Sequence, residues 1–162
     1  MKLFNYSAPT EIIFGAGRVT EAGALAARYG KKAMLVTVPE FPAVAELYAK
    51  VKKSLSDAGV ACVHYDGVIP NPTTELVTRG AELAKAEGVD VVIRLGGRSS
   101  MDTAKAIAVE ATHPGTAWDY NCHSAGPTEQ TLPILAISTT AGTGSQTTPC
   151  AVITKTSAKD KS

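Results

Sequence analysis

Apolar residues fall into short continuous runs, separated by stretches in which they recur every three or four positions. Short runs bounded by turn formers read as buried strands, and the helical recurrence reads as amphipathic helices packed on them. Glu11-Ile12-Ile13-Phe14 predicts a first strand, ended by Gly15-Ala16-Gly17 and followed by a helix over residues 18 to 29 that stops at Gly30. Ala33 to Val38 predicts a buried strand. Beyond Pro39 and Pro42 a helix runs to about Ala58, with Val44, Leu47, Val51 and Leu55 on one face and Gly59 as its stop.

Val60 to Tyr65 predicts the next strand, and Pro70-Asn71-Pro72-Thr73 a rigid loop whose Thr73 or Thr74 caps a helix ending at Gly88. Val89 to Leu95 is another strand, followed by a helix from Ser99 to about Ala111. Residues 112 to 131 form a long irregular connection. Leu132 to Ile137 resumes a strand, and Ala151 to Thr154 is a further short one. Strands alternating with helices of this length predict βαβ units, right-handed crossovers and a mostly parallel sheet covered on both faces. In such sheets ligands sit beyond the carboxyl ends of the strands.

Two glycine turns occupy that position. Gly96-Gly97-Arg98-Ser99 follows one strand, and Thr139-Thr140-Ala141-Gly142-Thr143-Gly144-Ser145 follows another. Two residues without Cβ let a bulky anion approach the backbone, where a helix amino terminus offers free N–H groups and the positive end of its dipole. Ser99 and Asp102 form an S-x-x-D pattern in which the hydroxyl caps the helix and the carboxylate reaches back. Arg98 adds a cation beside the turn, for a phosphate or for solvent. In the second turn Thr139, Thr140, Thr143 and Ser145 supply hydroxyls suited to ribose and phosphate oxygens.

Composition narrows the partners. With 44% hydrophobic residues in 162, the chain is long enough for one α/β core. Its 16 basic and 15 acidic side chains leave a net charge of +1, so steering toward nucleic acid is unsupported. No apolar run approaches the roughly 18 residues that span a bilayer, and the start lacks a secretory signal, so a cytoplasmic location is expected. Cys62, Cys122 and Cys150 are odd in number and widely spaced, which predicts reduced thiols. Cys122, His123 and His113 make a poor metal set without a fourth ligand. His64, His113 and His123 lack a Ser or Cys partner and read as core or surface residues. Gly15-Ala16-Gly17-Arg18-Val19-Thr20 begins like a dinucleotide fingerprint, but Thr20 stands where the third glycine belongs, so it reads as a strand-to-helix turn. Neither a P-loop nor a G-x-S-x-G elbow occurs.

Phe14-Gly15-Ala16-Gly17-Arg18, Pro70-Asn71-Pro72-Thr73, Gly96 to Lys105 and Thr139 to Ser145 resemble, in order and spacing, the iron-containing (group III) alcohol dehydrogenase family. The resemblance covers the whole chain. It implies a Rossmann-like α/β domain over residues 1–162 that binds NAD or NADP, a carboxyl-terminal all-helical domain holding iron or zinc, and hydride transfer between the nicotinamide and an alcohol or aldehyde. Carried over by position, Gly96, Gly97, Ser99 and Asp102 belong to the pyrophosphate turn. Thr139 and Thr140 match residues near the adenine and ribose, and Thr143 and Ser145 a further part of the cofactor wall. Aligning Val152-Ile153-Thr154 with the family's V-I-T puts Lys161 where a cofactor-contacting lysine lies.

Three departures matter. Arg98 stands where the family has a third glycine; if that position needs a positive φ, the cost is on the order of 1 kcal/mol. Thr37-Val38-Pro39 lacks the acid that meets the adenine ribose, which leaves NAD and NADP both open. Gln146 replaces a common glutamate. The family's metal ligands, an aspartate and three histidines, lie beyond residue 162, so the expected state is a cofactor-binding fragment with little activity alone, self-associating through a bared apolar face. Two other readings stand beside it. One is a non-enzymatic nucleotide- or phosphate-binding module from a truncated frame, and the other is a glycerol dehydrogenase or dehydroquinate synthase relative.

Overall fold

The interior apolar runs become four strands in a computed structural model that describes residue 3 and residues 9–120, 126–158 and 160–161. They are β1 (Lys32–Val36), β2 (Ala61–Tyr65), β3 (Val91–Gly96) and β4 (Ile134–Ser138). All pair in parallel, in the spatial order β2-β1-β3-β4. Four α-helices accompany them: α1 (Ala22–Ala26), α2 (Pro42–Asp57), α3 (Thr74–Glu87) and α4 (Arg98–Glu110). The chain is an α/β protein of Rossmann-like architecture.

Each strand of β1 and β3 is apolar on both sides because both faces of the sheet are covered. On one face Leu35, Ile93 and Leu95 meet Ala22 and Ala26 of α1 and Tyr48, Val51 and Leu55 of α2. On the other, Met34, Val36 and Val92 meet Val77 and Ala84 of α3 and Ala104, Ile107 and Ala108 of α4. The change of face follows from the strand order. Right-handed crossovers place α2 on one side as the chain steps from β1 outward to β2, and α3 and α4 on the other as it returns to β3 and β4. The reversal lies between β1 and β3, so the crevice of an open α/β sheet opens at their carboxyl ends.

Close backbone approach fixes α1 on α2. A Cβ on Gly23 would stand 1.9 Å from the Ser54 carbonyl oxygen. The Ser54 hydroxyl completes the joint, donating to Thr20 O at 2.6 Å and accepting from Gly23 N at 2.9 Å.

Several boundaries differ from the sequence reading. Residues 11–14 form no strand; Ile12 and Phe14 are exposed, and a short apolar run alone could not supply the ladder partner a strand requires. The helix expected over 18 to 29 is a 3-10 turn, Arg18–Glu21, running into the short α1. Gly17, at φ 79°, precedes that turn, so Gly15-Ala16-Gly17 does lead into helical structure. The connection at 112 to 131 contains a 3-10 turn, Ala117–Tyr120, held where Glu110 Oε2 accepts from Ala117 N at 2.8 Å. The strand expected at Ala151 to Thr154 is a small antiparallel ribbon, β5 (Thr154–Lys155) with β6 (Asp160–Lys161). Thr154 N donates to Pro72 O at 2.8 Å, which docks that ribbon on the loop before α3. Cys122 and His123 lie outside the described residues. Among the described residues no helix is long and apolar enough to cross a membrane.

Candidate functional site

The two glycine turns emerge side by side because β3 and β4 are hydrogen-bonded neighbours. Gly96 stands opposite Ser138 in the parallel register, and Thr139 N donates to Gly96 O at 3.2 Å. Gly96 has φ 135°, a conformation side chains avoid, and a Cβ there would lie 2.9 Å from Ser100 Oγ. Gly97 is the N-cap of α4 at φ −91° and ψ −160°. A Cβ on Gly97 would approach only Thr140 Oγ1, at 3.9 Å, so the space over this peptide is open and faces the second turn. The first N–H groups of α4 have no partner inside the helix, so this end of the helix is the one suited to an anion.

Beneath the turns lies Arg94, a charged residue inside the apolar run of β3 and only 2% exposed. Its guanidinium donates through Nη1 to the carbonyls of Gly96 and Gly97 and through Nη2 to Ser138 Oγ at 2.6 Å. Its Nε has no acceptor among the described residues. Burial pulls the Arg94 pKa down to about 10, against the opposing pull of Asp102. It remains a cation at neutral pH.

A cavity of about 80 Å³ adjoins the first turn, lined by Asn71, Arg98, Ser99, Asp102, Val152 and Lys161 among others. The docking of β5 on the Pro72 loop brings β6 to this place, where Lys161 Nζ donates to Asn71 Oδ1 at 2.7 Å. Asp102 is buried under the mouth, and Arg98 Nε stands 3.6 Å from its Oδ2. Burial pushes the Asp102 carboxyl above its ordinary pKa, while Arg98, Lys105 and a backbone hydrogen bond from Val152 work in the opposite direction. Lys105, on the buried side of α4, gives its three donors to Ser145 O, Ser145 Oγ and Cys150 O at 2.7, 3.1 and 2.6 Å. Burial lowers its pKa against the attraction of Asp102.

Ser99, Asp102 and Lys161 therefore line one cavity, Gly96 and Gly97 form the turn that leads into α4 beside it, and Thr139, Thr140 and Thr143 lie exposed on the adjoining turn. Two details differ from the sequence reading. Ser99 does not cap α4: the helix begins one residue earlier, the cap is Gly97, and no side chain bonds to the cap. Ser99 is inside the first turn, which leaves its N–H rather than its hydroxyl as the helix-terminal donor. Arg98 carries no positive-φ cost, since Asn71 is the single non-glycine residue with positive φ among those described. Ser145 meets Lys105 through both its carbonyl and its hydroxyl, so it anchors the second turn to α4.

Arg94 and Lys105 escaped the sequence reading. The available signal was a charge within a strand pattern and a lysine on the apolar side of a helix, the kind of position where charges occur only when partnered. At the end of β1, Thr37 Oγ1 donates to Val38 O at 2.7 Å and therefore accepts from His64 Nε2 at 2.8 Å. His64 thus completes a polar pair with Thr37 instead of acting as a free base. His113 is likewise committed, to Val109 O through Nδ1 at 2.9 Å and to Thr128 N through Nε2 at 3.0 Å. Among the described residues no three His, Cys, Asp or Glu side chains gather in one place.

Comparison with known proteins gives the family. The family model for iron-containing alcohol dehydrogenase matches residues 9–162. A choline dehydrogenase of Bacillus subtilis (strain 168) is 44% identical over 156 residues, covering 94% of this chain and 39% of that protein. An NAD-dependent methanol dehydrogenase of Bacillus methanolicus is 35% identical, covering 97% of this chain and 41% of that protein. Among solved structures, an archaeal halo-thermophilic alcohol dehydrogenase from a Red Sea brine pool superposes with a TM-score of 0.92 at 41% identity, covering 99% of this chain and 42% of that one. The chain thus spans about two fifths of the length of these relatives. Matched from residue 9 to residue 162 and alike in fold, it belongs to the iron-containing alcohol dehydrogenase family.

Proposed function

We propose that residues 1–162 form the dinucleotide-binding part of an NAD(P)-dependent alcohol dehydrogenase. The observation that carries this is the pairing of Gly96 with Ser138, which sets two glycine turns side by side at the open end of the sheet. A diphosphate lies over the Gly96-Gly97 peptide and accepts from the N–H groups of Gly97, Arg98 and Ser99, with the α4 dipole adding to the attraction. Asp102, Arg98 and Lys161 line the adjoining cavity, where Lys161, bonded to Asn71, and Arg98 are the cations available to a ribose or phosphate. Thr139 and Thr140 serve the adenine and ribose, Thr143 a further part of the cofactor wall, and Ser145 holds their turn through Lys105.

The cofactor supplies the hydride acceptor. This chain's part is to bind and orient it, with backbone donors fixed before the ligand arrives. Alcohol oxidation is the activity of a whole protein in this family, and we assign no metal-assisted step to the described residues. The chain by itself is expected to bind dinucleotide without turnover.

At the end of β1 the polar pair is Thr37 with His64; Thr37-Val38-Pro39 contributes no carboxylate, while Glu40 and Asp66 act on His64 from farther off. With no carboxylate on the strand end itself, NADPH is expected as a ligand beside NADH. Calorimetric titration of the chain with each tests this, with dissociation constants within about tenfold of one another as the expected result. A preference for NADH beyond about a hundredfold contradicts the reading of β1, and no heat from either cofactor contradicts the site.

A further inference from the structure

We infer that Arg94 is a positioning residue for the diphosphate, a buried cation that sets the direction of the two turns from below; this rests on the dinucleotide reading and goes beyond it. A trans peptide points its carbonyl and the following N–H in opposite directions. Arg94 draws the carbonyls of Gly96 and Gly97 inward. The N–H groups of Gly97 and Arg98 lie on the far edges of those peptides, and since Thr139 N and Met101 N hold the same carbonyls at 3.2 and 3.3 Å, Arg94 adds a buried anchor to a direction that the sheet and the helix begin. The same guanidinium holds Ser138 Oγ, so a single side chain fastens the start of both turns.

Its electrostatics point the same way. Arg94 is 2% exposed, and its hydrogen-bond acceptors are two carbonyls and a hydroxyl, all neutral. Asp102 attracts it from nearby, but Asp102 also faces Arg98 and Lys105 and no ion pair joins it to Arg94 among the described residues. One carboxylate thus faces three cations. A buried guanidinium without a carboxylate of its own is costly, and a diphosphate across the Gly96-Gly97 peptides supplies the missing negative charge. Polarised by Arg94 at their carbonyl ends, those peptides also become stronger donors at their N–H ends.

The test compares Arg94→Met and Arg94→Lys with the parent chain by NADH calorimetry, alongside thermal denaturation without ligand. Arg94→Met is expected to bind NADH at least about tenfold more weakly while melting no more than a few degrees below the parent, since it removes the desolvation cost of a charge with no ion-pair partner among the described residues, and Gly96 O and Gly97 O keep their bonds from Thr139 N and Met101 N. Arg94→Lys keeps the charge but cannot span both carbonyls and Ser138, so it recovers part of the lost affinity. If Arg94→Met does not fold, Arg94→Lys carries the comparison with an expected weakening of about threefold or more. Parent-like NADH affinity in either folded variant overturns the inference and leaves the dinucleotide site standing. A loss of affinity that tracks a loss of melting temperature, with Lys no better than Met, marks Arg94 as a packing residue and also overturns it. No binding by the parent removes the dinucleotide reading and the inference together.

Discussion

Gly97 and Asp102 sit within the same first turns of α4 but answer to different physics. Gly97 leaves room, and Asp102 is held where water is scarce. Because burial raises the Asp102 pKa, its folded form takes up a proton more readily than the unfolded chain does. The sign follows directly: the stabilising contribution is full below the unfolded value near pH ~4 and is lost as pH rises through the higher folded value. Asp102→Asn is therefore expected to gain on the parent as pH rises from ~4 to ~6, read as a growing difference in melting temperature. A difference that shrinks over that range contradicts the assignment. At this scale the glycine turns were legible because an absent side chain has a direct geometric meaning. The role of Ser99 was not, because a shift of one residue in the helix start exchanges a capping hydroxyl for a helix-terminal N–H. Arg94 was hidden for another reason: its partners are Gly96 and Gly97 at the end of its own strand and Ser138 on β4, and only the pairing of β3 with β4 brings the last of these to it.

At the scale of elements, β1 to β4 were readable from short continuous apolar runs and α2 to α4 from apolar residues at helical spacing. Residues 11–14 carry a similar pattern without a neighbouring strand, so the pattern alone overstated them. The division of α1 from its 3-10 turn was likewise hidden, because it depends on how closely α1 approaches α2. That approach is testable. Gly23→Ala gains helix propensity of about 1 kcal/mol locally, yet its Cβ meets a backbone carbonyl that cannot turn aside. A net loss of about 2 kcal/mol or more is expected by urea denaturation, because overpacking forces backbone shifts. A stabilised variant contradicts the packing of α1 on α2.

For the whole molecule, the strand order decides where the site lies. The reversal between β1 and β3 opens the crevice, and the neighbouring β4 brings the second turn to its rim. Alternating strands and helices predicted a parallel sheet, but the sequence held no statement of which strands are neighbours. The adjacency of β3 and β4, the docking of β5 on the Pro72 loop, and the arrival of Lys161 beside Asn71 all depend on that order. The most direct test of the account is calorimetry of NADH with the parent chain and with Gly97→Leu. The Gly97 backbone is not in the left-handed region and its Cβ position is open, so the variant retains the fold while its side chain fills the space assigned to the diphosphate. The account predicts binding by the parent at micromolar to millimolar concentration, and at least about tenfold weaker binding by Gly97→Leu at an unchanged melting temperature. Equal affinity in the two chains, or no heat from the parent at millimolar NADH, would contradict it.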